Sequence, residues 1–180
     1  MRALGARSAM ATGLLAVLMF FGLTPGVAAQ NTQTDLTSRA YEKETKHLRA
    51  AIEKVLSPET NRGGQRLPSV RIDKTGDATV VFAMRDAKTL KELRAKAIAD
   101  AITILKATYD PPVSDKIMTV TVVGTYPVTS ERGTREWPVL RVTLSADSTR
   151  TLKFDKLTAK NIDQEVDVFW IYPPLIEAEG

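Results

Sequence analysis

The side chains able to do chemistry are few in this chain and stand far apart. His47 is the single histidine and there is no cysteine. A serine triad would have to take His47 as its base. No serine stands in a Gly-x-Ser-x-Gly setting, however, and no Ser-x-x-Lys spacing occurs. Arg62-Gly63-Gly64 lacks the lysine and the following helix of a phosphate-binding loop. The run from Asp73 to Asp77 opens like a calcium loop, but the closing acidic position is occupied by Met84. It reads as a turn around Gly76. Without cysteine, and with one histidine at the edge of a helix stripe, neither a metal site nor a cofactor is expected. Two carboxylates could still meet across space, as glycoside hydrolysis requires, and spacing alone does not reveal that.

Two features suit recognition better than catalysis. The first is Arg94, which falls in the middle of an apolar helical arc between Leu90, Ala101 and Leu105. A charge there must snorkel to water, pair with a carboxylate such as Glu44, or receive an anion. The second is the connection TYPVTSERGTREWP, residues 125–138, which gathers Tyr126, Arg132, Arg135 and Trp137. Tyrosine, tryptophan and arginine are the types that anchor protein interfaces. A solvated turn whose Trp137 covers a sheet edge is the plainer reading.

The elements that must position these residues follow from periodicity. Tyr41, Leu48, Ile52, Val55 and Leu56 share one side at 3.6-residue spacing, which predicts a helix from Ser38 to Leu56. Ser57-Pro58 ends it. The loop PETNRGGQRLP, with two arginines, is longer than usual and is either functional or mobile. Val70 and Ile72, then ATVVFAMR, predict two strands joined by the Gly76 turn. Thr89 and Glu92 have capping-box spacing ahead of a second helix. Its apolar face carries Leu90, Leu93, Ala97, Ile98, Ala101, Ile104 and Leu105, and Glu92, Lys96 and Asp100 stack on the outer side. The helix ends at Tyr109 to Pro112. KIMTVTVV and WPVLRVTL alternate as strands with one buried face, joined by a hairpin through Gly133. A short helix is expected near Asp147 to Lys153. Val166 to Tyr172 is either a last strand or a packed tail before Pro173-Pro174.

Burying both helix stripes and the sheet's apolar face calls for an α+β class: two amphipathic helices packed on one face of a four- to five-stranded, mainly antiparallel sheet. The order is α-β-β-α-β-β-short α, with the final strand open.

The first 29 residues form an address rather than part of the body. Arg2 and Arg7 precede an apolar segment, Leu14 to Leu23, and Pro25-Gly26 breaks it before Val27, Ala28 and Ala29. These are the three parts of a secretory signal, with the cut placed after Ala29. Ser8 to Leu23 spans only 16 residues, short of the roughly 20 apolar residues a bilayer core needs. No membrane span is therefore expected once the signal is removed. Residues 30–37 then read as a flexible lead-in and 38–180 as one domain. The full chain carries +4; without Arg2 and Arg7, 23 basic residues face 21 acidic ones and the balance is +2. So small a charge gives no electrostatic case for nucleic acid.

These observations favour a secreted or periplasmic, non-catalytic α+β module that binds a protein or another envelope or cell-surface component. The alternative is a small secreted hydrolase or small-ligand-binding protein with a pocket between sheet and helices. Plain structural service in the envelope is a third reading. The identity of the partner and the oligomeric state stay open.

Overall fold

Alternation along the strands decides the architecture. In a computed structural model, which describes residues 27–109, 116–131 and 133–176, five strands form one sheet in the order β1-β2-β3-β4-β5. They are β1 (Ser69–Ile72), β2 (Asp77–Ala83), β3 (Thr119–Ser130), β4 (Gly133–Ser145) and β5 (Val168–Ile171). β1–β2, β3–β4 and β4–β5 are antiparallel and β2–β3 is parallel. A parallel pair cannot be closed by a tight turn, and the crossover here is the helix α2 (Leu90–Tyr109). The α+β class and the element order thus agree with the sequence. The open question at Val166 to Tyr172 resolves as the strand β5, paired to β4 from Val168↔Thr143 to Ile171↔Leu140.

One face of the sheet presents Val70, Ile72, Ala78, Val80, Phe82, Val120, Val122, Leu140, Val142 and Leu144, all buried. Against it lie α1 (Val27–Val55), through Leu48 and Ile52, and α2, through Leu93, Ala97, Ile98, Ala101, Ile104 and Leu105. Gly124 lies in the register between Phe82 and Leu140. A Cβ there would stand 3.0 Å from the Phe82 ring and 3.2 Å from Leu140, so the missing side chain makes room for the aromatic. Short helices α3 (Ala146–Thr149), α4 (Ile162–Glu165) and α5 (Pro173–Ile176) complete the chain, with a 3-10 turn at Phe154–Lys156.

Several local expectations need correction. α1 begins at Val27 rather than near Ser38 and takes in the 30–37 stretch read as a lead-in; no glycine or proline lies between Gly26 and Pro58 to stop it. Val55 and Leu90 remain about half exposed, at 49% and 52%. Each sits in a terminal turn at the rim of its stripe. The Thr89 cap forms, with Oγ1 accepting from Glu92 N at 3.1 Å, but Glu92 reaches back to Lys88 N rather than to the capping residue's own N–H. The largest departure is Asp100, which lies in the core and not on the outer side of α2.

The Gly76 turn is as expected. Asp73 Oδ1 accepts from Thr75 N at 2.8 Å and Asp77 N at 3.0 Å, and Gly76 has φ 86°. A Cβ on Gly76 would come within 2.6 Å of the Lys116 carbonyl oxygen.

Candidate functional site

β3 and β4 are longer than their neighbours, and the difference builds the site. β2 pairs with β3 only as far as Ala83↔Thr125, and β5 reaches β4 only as far as Leu140. Beyond these points Tyr126–Ser130 and Gly133–Trp137 pair with each other alone. The result is a two-stranded ribbon projecting from the end of the sheet. Its tip turns through Gly133 at φ 98°, and Thr129 and Thr134 share a hydroxyl hydrogen bond of 2.9 Å.

The sequence-derived residues come together in part. Tyr126 pairs with Trp137 and Val128 with Arg135. Period-2 alternation therefore puts Tyr126, Val128, Arg135 and Trp137 on one face of the ribbon. Tyr126 and Val128 are half-buried against the core. Arg135 is exposed and Trp137 is 54% exposed. Arg132 lies outside the described residues. Arg94 is half-buried in the second turn of α2 and not on the ribbon; Glu44, considered as its partner, accepts from Lys116 Nζ at 2.9 Å.

The base of the ribbon is tied down by residues that sequence reasoning passed over. Tyr126 Oη donates to Asp86 Oδ1 at 2.9 Å, and Arg62 Nη1 donates to the same oxygen at 2.7 Å. The Arg62 guanidinium lies 4.9 Å from the Tyr126 ring centroid, a cation–π distance. Its other terminal nitrogen is 3.7 Å from Glu136 Oε1. Asn61 holds the Asp86 backbone from both sides, donating to its oxygen at 3.2 Å and accepting from its N–H at 2.7 Å. Arg62 holds the Asp86 carboxyl below its ordinary range; Tyr126 adds to the effect and partial burial opposes it. Burial, and then the Asp86 hydrogen bond, push the Tyr126 hydroxyl up.

Arg62 can do this because its loop is folded. Thr60 is buried, and its Oγ1 accepts from Gly64 N at 3.1 Å and Arg62 N at 3.3 Å. Gly63 makes the reversal at φ 79°. The same loop sends Arg66 inward, where it pairs with Asp100 and donates to the Ala83 carbonyl oxygen. Arg85 approaches the other Asp100 oxygen at 3.5 Å. The arginine-bearing loop was visible in the sequence. So was a sign of Asp100, which stands one heptad after Leu93 and one turn before Ile104, both on the apolar stripe.

Chemically, Asp86 and Asp100 each lie against a guanidinium group, and the Tyr126 hydroxyl, its pKa raised by burial and by the Asp86 hydrogen bond, is a donor. That favours a fixed scaffold over proton transfer. Among the described residues no group of three or more His, Asp or Glu is placed to hold a metal ion. Also among the described residues, no helix is long and apolar enough to cross a membrane. Compared with models of protein families, with curated proteins and with solved structures, the chain matches none.

Proposed function

We propose that this is an exported, non-catalytic binding module whose β3–β4 ribbon docks onto a protein of the cell envelope or cell surface. The observation that carries the reading is Trp137, more than half exposed on a ribbon whose opposite partner, Tyr126, is pinned by Asp86 and Arg62. An exposed aromatic is costly to leave idle. One held on a fixed platform loses little freedom on binding, which is how aromatic and arginine anchors dominate interfaces. Arg135 on the same face adds a cation that carries no intramolecular ion pair among the described residues. The secretory signal read in the first 29 residues supplies the compartment, periplasm or external medium.

The test is recovery of a partner from the organism's own envelope extract on immobilised protein, with Trp137→Ala and Arg135→Ala in parallel. One partner retained by the wild type and lost by both variants is expected. Equal recovery on all three would contradict the ribbon as the docking element.

A further inference from the structure

Register decides which main-chain groups of the ribbon are already used. Met84 N donates to the Thr125 carbonyl oxygen at 2.9 Å, so Thr125 turns its main-chain groups toward β2. Along an antiparallel pair, residues bonded to the partner strand alternate with residues whose groups face away. Counting from Thr125, Tyr126 and Val128 face β4 while Pro127 and Thr129 face outward; on β4, Gly133, Arg135 and Trp137 face β3 while Thr134 and Glu136 face outward. The hydroxyl contact between Thr129 and Thr134 fits this count, since side chains stand closest at non-hydrogen-bonded pairs. β5 does not cover the outward groups of β4: Tyr172 N donates to the Val139 carbonyl oxygen at 2.8 Å, and Pro173 follows. Among the described residues the N–H and C=O groups of Thr134 and Glu136 make no other hydrogen bond. The two edges of the ribbon are not alike. On the β3 side Pro127 has no N–H, a common means of blunting an exposed edge. On the β4 side no proline stands between Thr134 and Trp137.

We infer, building on the reading of the ribbon as a docking element, that the β4 edge from Thr134 to Trp137 takes up an extended segment of the partner protein as an added antiparallel strand, with a carboxylate opposite Arg135 and an aliphatic side chain opposite Trp137. Alternating main-chain donors and acceptors are matched by another extended main chain, and the side chains between them select its sequence. Arg135 and Trp137 share one face. In the added ladder both occupy non-hydrogen-bonded positions, where cross-strand side chains come closest. Arg135 is exposed and has no acidic partner among the described residues. Glu136 lies on the other face, 3.7 Å from Arg62, and Glu131 belongs to the turn; neither shares the row of Arg135. A second copy of this chain fits less well. Pairing that uses both Thr134 and Glu136 of each copy sets Arg135 against Arg135, and like charges directly opposite are destabilising.

The probe is the peptide acetyl-Ser-Ile-Thr-Glu-Thr-Ser-amide, whose isoleucine and glutamate stand opposite Trp137 and Arg135 in antiparallel register. Amide NMR of the whole protein should show slowed hydrogen exchange at Thr134 and Glu136 when the peptide is added. Binding should weaken at least tenfold when the peptide glutamate is replaced by lysine, and when both peptide threonines are N-methylated. It should weaken as much with Thr134→Pro and Glu136→Pro, which remove an outward N–H and leave the β3–β4 ladder intact. Thr129→Pro does the same to the β3 edge and should leave binding unchanged. The N-methylated peptide keeps the result readable if a proline variant fails to fold. Unchanged exchange at Thr134 and Glu136, equal binding of the N-methylated peptide, or a loss with Thr129→Pro equal to that with Glu136→Pro would each overturn the inference. So would self-association of the protein that Glu136→Pro abolishes, since it would assign the edge to a second copy. An envelope partner lost with Trp137→Ala but kept by both Thr134→Pro and Glu136→Pro would overturn strand addition while leaving the ribbon as the docking element.

Discussion

Arg66 and Asp100, 34 positions apart, meet as a buried ion pair at the end of the sheet, with side chains 1% and 10% exposed. The pair joins the loop after α1 to the middle of α2. Arg66 also takes the Ala83 carbonyl oxygen and lies 5.8 Å from the Phe82 ring centroid. Burial of two charges is offset only while both remain in place.

The two halves of this pair are not equivalent. Asp100→Ala leaves the Arg66 guanidinium buried with no carboxylate and is expected to cost about 3–5 kcal/mol. Arg66→Met leaves Asp100 with Arg85, at 3.5 Å, and should cost less. Urea unfolding of the two variants checks the order. Equal losses would mean that Arg85 does not compensate.

Asp86 makes the ribbon's attachment sensitive to acid. Its carboxyl lies below the ordinary 3.8, chiefly through the Arg62 hydrogen bond. The folded-state value is the lower one, so its contribution is complete above pH 3.8 and is lost as pH falls through the folded value. Tyr126 acts in the opposite sense. Raised above 10.0, it contributes fully below that pH and loses its contribution as pH rises through its folded value. Trp137 fluorescence, read in a Trp170→Phe background, should show an acid transition that Asp86→Asn abolishes. An unchanged transition in Asp86→Asn would place the titrating group elsewhere.

Two glycines with positive φ should respond differently to alanine. At Gly133 a Cβ meets nothing within 4 Å, so the cost is conformational, about 1–2 kcal/mol. At Gly76 the same strain is joined by backbone at 2.6 Å. Gly76→Ala should therefore unfold at clearly lower denaturant than Gly133→Ala. Matching midpoints would show that the Lys116 segment yields freely.

The proposed export makes a covalent prediction. Intact mass and amino-terminal sequencing of the protein recovered outside the cytoplasm should place the first residue at Gln30, inside the α1 span. A product that still began at Met1 would remove the signal from the account.

The fold was legible because its signals are local: alternation in β3 and β4, the Thr89 cap, and the turn at Gly76 each stand within a few residues. Tyr126, Arg135 and Trp137 were legible as interface types, and their shared ribbon face follows from the hairpin register. The ties that fix the ribbon were not, because Arg62, Asp86 and Tyr126 converge from three separate elements. Asp100 was misplaced for a different reason. Its i,i+4 relation to Lys96 suggested a solvent-side pair, whereas Lys96 pairs with Glu92 at 2.9 Å and Asp100 follows the apolar stripe to a partner in a distant loop.

The reading of the ribbon as a docking element is tested most directly by photo-crosslinking in the cell, from a benzoylphenylalanine placed at exposed Thr134. A matched probe at exposed Lys153 reports on the remote surface. One discrete adduct from position 134, absent at 153 and lost with Trp137→Ala, is the expected result. No adduct from 134, or the same adduct from both positions, would contradict it.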